Sequence, residues 1–226
     1  GWLACLMRDG DPSSAEIRLF PHIVDLIAAA EPPRVTAIDM PIGLPERIGP
    51  GGRGPERLVR PCLGERQSSV FSIPSRSAVF AGEGLDDRAG YAAACAAALA
   101  TSDPPKKVSK QGFHLFPKIR ELDRALGPEI AARVFESHPE VAFATLNGGR
   151  AMSLPKKVKS RPNPPGLEER RDLLVSLGFA RAVVAGPPPR GAGPDDLLDA
   201  CVLALVAVRI ARGEARVWPE VPAHDG

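Results

Sequence analysis

The alternation of apolar and polar positions divides the chain into three stretches. Residues 2–7 are apolar and β-prone, residues 8–14 are rich in Asp, Gly, Pro and Ser, and residues 15–20 alternate charged with apolar side chains. That succession predicts an antiparallel hairpin. Residues 21–30 carry Ile23, Leu26 and Ile27 ahead of an alanine tail, a helix opened by a proline and stopped at Pro32-Pro33. Val35-Thr36-Ala37-Ile38-Asp39 follows as a β-branched, apolar run, a buried strand that ends on a carboxylate. Pro41 cannot donate to a sheet ladder, and Gly43 and Pro45 break regular structure just beyond it.

Between residues 45 and 118 this rhythm is lost. A Gly/Pro loop at 49–55 leads to a short helix at 56–63, a polar segment at 64–76, an alanine-rich helix at 87–100, a basic loop at 104–111 and an amphipathic helix at 116–126. The block offers few large apolar residues for a core of its own, so we expect an inserted segment, not a separate domain. The α/β rhythm then returns. Residues 131–136 form a strand, Ser137-His138-Pro139 turns into a helix at 140–146, and 156–165 is a basic, proline-bounded loop. A charged amphipathic helix covers 167–177, residues 182–185 suit a short strand or a helix end, and 195–212 is the last helix. That helix is apolar almost all round, which predicts burial. The expectation is one α/β domain over residues 1–226 with no internal repeat.

Composition narrows the class. With 226 residues, 44% hydrophobic and 25% charged, the chain suits a globular protein of one large or two small domains. A formal net charge of +2 leaves partners to be argued from local clusters. The four cysteines are far apart, with no Cys-x-x-Cys pair, and Cys95 and Cys201 fall in helical stretches. They read as reduced core thiols of a cytoplasmic protein, not as disulfides or a zinc site. Nothing has the length and apolarity of a membrane span, and no targeting signal opens the chain. The chain begins without an initiator Met in a segment that already reads as strand, so we expect native residues upstream of it.

The candidate chemistry is carboxylate chemistry. Asp39 falls at the carboxyl end of a strand, where open α/β sheets bind ligands; capping a turn is its plainer alternative. Glu136 ends a second strand, with a cap or an ion pair as the structural alternative, and His138 suits a turn or helix cap. Asp195 and Asp196 at the start of the last helix suit its macrodipole. Asp199 lies deeper and shares a face with Asp196. Two carboxylates on a buried helix need a cation or strong hydrogen bonding. The basic loops at Lys106-Lys107-Lys110 and Lys156-Lys157-Lys159-Arg161 serve as phosphate contacts or as solvated surface. One Tyr and two Trp provide little base stacking, and serine hydrolysis lacks its Gly-x-Ser-x-Gly pattern.

Five motifs occur in one order: Ile38-Asp39-Met40-Pro41-Ile42-Gly43-Leu44, Arg66-Gln67-Ser68-Ser69-Val70-Phe71, Lys118-Ile119-Arg120-Glu121-Leu122-Asp123, Glu136-Ser137-His138-Pro139-Glu140 and Asp196-Leu197-Leu198-Asp199-Ala200. Over nearly the whole chain they resemble the domain of unknown function 429 family of predicted RNase H-like nucleases. The last motif also resembles the final catalytic helix of RuvC-like resolvases. The resemblance implies an RNase H-like mixed sheet with helices on both faces. It implies carboxylates gathered to hold Mg²⁺ or Mn²⁺: Asp39 on the central strand, Asp196 and Asp199 on the last helix, and Glu136. The family pattern opens with a strand carrying an Asp in Gly-x-Asp-Gly, ahead of the Gly-Trp that begins this chain. That Asp is absent here, so either the native start lies upstream or the site is crippled, and this chain is expected to bind metal weakly and be inactive.

The implied function is divalent-metal-dependent hydrolysis of phosphodiester bonds in a nucleic acid. Asp39, Glu136, Asp196 and Asp199 would be its catalytic and metal residues, and Arg66, Ser68, Ser69, Lys110, Lys118, Lys156 and Lys157 its substrate contacts. Arg66, Ser68 and Ser69 fit an anion helper or a structural loop equally. The alternative is a catalytically inactive RNase H-like binding or regulatory protein for a nucleotide or protein partner.

Overall fold

The computed structural model describes residues 1–220. In chain order its first elements are β1 (Trp2–Leu6), β2 (Glu16–Phe20), α1 (Val24–Ile27), β3 (Thr36–Ile38), α2 (Gly54–Val59), α3 (Arg76–Phe80), α4 (Asp87–Thr101), α5 (Lys110–Phe113) and α6 (Phe116–Ala125). There follow α7 (Pro128–Ala131), β4 (Val134–Glu136), α8 (Pro139–Leu146), β5 (Lys157–Val158), β6 (Arg161–Pro162), α9 (Pro164–Ser176), α10 (Arg181–Val184) and α11 (Pro194–Ala211). The fold is α/β, about 47% helix with small sheets. In place of a single mixed sheet, the described strands form three two-stranded pairs: β1 with β2 antiparallel, β3 with β4 parallel, and β5 with β6 antiparallel. β3 spans only three residues, and Pro41 has no N–H with which to carry its ladder further.

The chain divides into two compact units. The first comprises Gly1–Asp39, Cys62–Arg66 and Gly127–Ala215. Its core is set by α11, which packs against β1, β3, α8 and α9. Leu197, Leu198, Cys201 and Val202 of that helix are fully buried with Phe143 of α8 and Leu174 of α9, and Leu3, Ile17 and Ala37 of the strands pack against them. The all-round apolar reading of α11 holds for its first half; Leu205, Val206, Val208 and Ile210 are only half-buried. α1 is shorter than the residue pattern suggests, because Ala28, Ala29 and Ala30 are exposed and gain no tertiary packing to extend four helical residues.

The second unit comprises Met40–Pro61, Gln67–Leu126 and the described residues from Arg216 on. α3 packs on α4 and α6, burying Ala78, Val79, Ala94, Ala98, Ile119 and Leu122. Gly82 makes this approach possible, since a Cβ there would lie 2.4 Å from the Gly90 carbonyl. A buried ion pair, Arg53 Nε to Glu56 Oε1 at 2.7 Å, organises the loops. Arg53 Nη1 donates to the carbonyls of Ile42 and Gly43, each at 3.0 Å, so it fixes the chain just beyond Asp39. Glu56 accepts the N–H of Ile73, and Arg60 donates to Val70 O and Ser72 Oγ, which braces the end of the Gln67-Ser68-Ser69 segment.

Candidate functional site

Parallel pairing of β3 and β4 sets Ile38 opposite Glu136. The Ser137 N–H donates to the Ile38 carbonyl at 2.8 Å, so both strands end together and Asp39 leaves the pair beside Ser137. His138 then occupies the N-cap of α8, and Pro139 starts the helix where no N–H is required. Glu140, one residue on, is buried. α11 starts at Pro194 and presents Asp195, Asp196 and Asp199 in its first two turns. β3, β4, α8 and α11 thus place Glu136, Glu140, Asp196 and Asp199 within electrostatic reach of Asp39, and Glu140 within reach of Asp199 as well.

Each acid has a different environment. Asp199 is largely buried, and one of its oxygens, Oδ2, accepts a hydrogen bond from the Lys156 ammonium. The other, Oδ1, is buried with no hydrogen-bond partner among the described residues. Burial pushes the Asp199 carboxyl up to about 6; Lys156 opposes this and the Asp39 charge adds to it. Asp39 is reachable by solvent, yet the protein crowds it enough that desolvation, resisted by Lys156, pushes it up to about 6, with Glu136, Asp196 and Glu140 adding repulsion. Burial works against the Lys156 charge, but Asp199, Glu140 and Asp39 outweigh it and hold the ammonium protonated. Asp196 caps its own helix, accepting the Gly193 N–H at 2.7 Å. Asp195 is buried and pairs with Lys157 at 2.6 Å.

A strap of chain delivers those lysines. Glu169 of α9 accepts the N–H groups of Ser153 and Leu154 at 2.7 and 2.9 Å. The next residue, Arg170, is fully buried, binds both oxygens of Glu140, and donates to Leu154 O at 2.9 Å and Gly166 O at 2.6 Å. Asn163 donates its side-chain amide to Pro155 O at 2.7 Å and its backbone N–H to Lys156 O at 2.9 Å. Gly166 is required beneath the strap, since a Cβ there would lie 2.0 Å from the Pro155 carbonyl. Beyond it β5 and β6 form a small hairpin whose two turn residues, Lys159 and Ser160, both have positive φ. The sequence lacks the Asn-Gly signature of such a turn, and the segment therefore read as a loop.

Of the residues singled out in the sequence, Asp39, Glu136, Asp196, Asp199, Lys156 and Lys157 all belong to the first unit. The two lysines, read as phosphate contacts, are committed to Asp199 and Asp195. Arg66 lies in the same unit and reaches Glu65 at 3.4 Å. Ser68, Ser69, Lys110 and Lys118 belong to the second unit. There Lys110 pairs with Asp87 at 2.6 Å and lies over the Tyr91 and Phe113 rings, and Lys118 is half-buried in the first turn of α6. Glu140, Glu169 and Arg170 were not singled out for the site. Glu140 closes the Glu-Ser-His-Pro-Glu motif, which is its one signal; Arg170 looks like any charge on an amphipathic helix until its partner, thirty residues away, is known.

The carboxylates offer the hard oxygen donors that Mg²⁺ or Mn²⁺ takes. The partnerless Asp199 Oδ1, beside a second carboxylate with a raised proton affinity, is the kind of atom such a cation satisfies. As the side chains stand, no group of three or more His, Cys, Asp or Glu among the described residues is close enough to hold a metal ion. The donor chemistry fits a cation, while the Lys156 ammonium occupies part of the place.

A family model described as "Protein of unknown function (DUF429)" matches residues 1–224. The chain belongs to the domain of unknown function 429 family. No curated protein and no solved structure matches it. In this member of the domain of unknown function 429 family, the motifs containing Asp39, Glu136 and Asp199 lie on or directly after β3, β4 and α11, and β3 pairs with β4 and packs against α11. No helix among the described residues is long and apolar enough to cross a membrane.

Proposed function

We propose that this chain is a divalent-metal-dependent nuclease of RNase H-like arrangement, with its reaction centre at Asp39 and Asp199. The observation that carries the reading is a buried Asp199 oxygen left without a partner, on a carboxylate whose other oxygen holds the Lys156 ammonium and which feels the charge of Asp39. Asp39 and Asp199 would hold Mg²⁺ or Mn²⁺, with Glu136 and Asp196 lending negative charge. When bound, the ion would act as a Lewis acid toward water and a phosphodiester. Lys156 keeps a proton on Nζ and supplies positive charge beside the carboxylates. Lys159 and Arg161, exposed on the β5–β6 hairpin, suit phosphate oxygens of a nucleic acid. The scarcity of Tyr and Trp favours backbone contacts over base stacking. Four free thiols accord with a cytoplasmic protein.

One observation favours the second reading, a non-catalytic binding protein of the same fold. Lys156 and Lys157 already neutralise Asp199 and Asp195, so the charge is compensated without a metal. Cleavage of end-labelled single-stranded and duplex DNA and RNA, with and without Mn²⁺, separates the two. The nuclease reading expects Mn²⁺-dependent cleavage that falls by about 100-fold or more in Asp199→Asn. Unchanged cleavage by that variant removes Asp199 from the site, and no cleavage of any substrate favours the binding protein.

A further inference from the structure

We propose that Lys156 is a built-in counter-cation of the carboxylate pair, and that a divalent ion enters by displacing its ammonium from Asp199. This rests on the metal-site reading above and adds to it a specific competitor. An ordinary surface lysine samples many rotamers in water. Lys156 does not: its side chain is 24% exposed, its Nζ is bonded to Asp199, and it is within charge reach of Asp39 and Glu140.

The backbone that presents Lys156 is held independently of that ion pair. Glu169 fixes Ser153 and Leu154, Arg170 fixes Leu154, and Asn163 fixes Pro155 and the Lys156 carbonyl. None of these bonds uses the Lys156 ammonium or Asp199. The ammonium can therefore leave Asp199 without undoing the strap, and its tether returns it when the ion departs. An ammonium on Asp199 Oδ2 sets a positive charge next to any ion that Oδ1 would hold, so the lysine lowers the affinity for the ion and the ion favours its departure. Lys157 provides the internal comparison. It belongs to the same strap but pairs with Asp195, not with Asp39 or Asp199.

The test is titration of the full chain with Mn²⁺ by calorimetry, in wild type, Lys156→Met, Lys156→Gln and Lys157→Met, each checked for folding by circular dichroism. The proposal expects both Lys156 variants to bind Mn²⁺ about tenfold tighter or more, and Lys157→Met to stay within about twofold of wild type. Equal or weaker binding by folded Lys156 variants, with wild type still binding, overturns the counter-cation and leaves the metal site standing. Absence of binding in wild type and all variants overturns the metal site and this proposal together. Should both Lys156 variants fail to fold, wild type labelled with ¹³C at the lysine ε-carbons decides. Added Mg²⁺ is expected to move the Lys156 signal to the position of solvated lysines, and an unmoved signal under saturating Mg²⁺ overturns the proposal.

Discussion

Arg170 and Glu140 form a bidentate ion pair inside the first unit, and the guanidinium that binds Glu140 also holds the Leu154 carbonyl. One buried charge pair therefore joins α8, α9 and the strap that presents Lys156. Burial makes the pair costly to break on one side. With Arg170 fully buried over the Phe143 ring, removing it leaves the Glu140 carboxylate dehydrated and without its partner. Arg170→Met is expected to lower stability by about 3–5 kcal/mol, and the double variant Glu140→Met/Arg170→Met to recover part of that loss. Urea denaturation measures both. A single-variant loss below about 1 kcal/mol contradicts the role given to the pair.

Asp199 links stability to pH with a definite sign. Burial pushes its carboxyl up to about 6 in the folded chain, against 3.8 for an ordinary aspartate. The folded state therefore holds the proton more tightly, and the contribution of Asp199 is fully present below about pH 4 and lost as pH rises through about 6. For a largely buried group the loss is of the order of 2–3 kcal/mol. Carboxylates whose values are lowered, such as Glu169, act in the opposite sense, so the comparison must be with Asp199→Asn. The wild type is expected to lose stability relative to that variant between about pH 4 and 7, as read from urea midpoints. A constant difference across that range contradicts the assignment.

Glu56 has a corresponding part in the second unit. Burial raises its carboxyl against the pull of Arg53, and it accepts the backbone N–H groups of Arg53 and Ile73. Glu56→Ala leaves the buried Arg53 without its carboxylate and is expected to cost about 3 kcal/mol or more. It should also loosen the chain around Ser68 and Ser69, seen as faster proteolysis there under native conditions. Unchanged proteolysis in a folded variant contradicts the brace.

Local pattern carried much of this structure. The β1–β2 hairpin, a β3 strand read to Asp39 and ending one residue earlier at Ile38, and α4, α6, α8 and α11 follow from apolar spacing and from Pro and Gly punctuation within one segment. The candidate acids stood out for a related reason: Asp39, Glu136 and Asp196 fall at or just beyond element ends, and Asp199 lies one turn further into α11. What failed were features that depend on distant partners. A strand of three residues says nothing of which strand it joins, so the separate pairs in place of one sheet were not visible. The strap was missed because its anchors, Glu169, Arg170 and Asn163, are defined by backbone carbonyls and N–H groups up to sixteen residues away. Lys156 and Lys157 were read as free to meet phosphate because a basic run does not reveal which carboxylates it faces.

The central claim is a divalent-ion site built on Asp39 and Asp199, and Mn²⁺ binding tests it most directly. Calorimetric titration at about pH 7, where both carboxyls are largely ionised, compares wild type with Asp39→Asn and Asp199→Asn. The account predicts a saturable isotherm, weak in this chain and stronger in a form extended by the family's Asp-bearing opening strand, that is lost in both variants. Binding that survives in both variants, or no binding by either form, contradicts it.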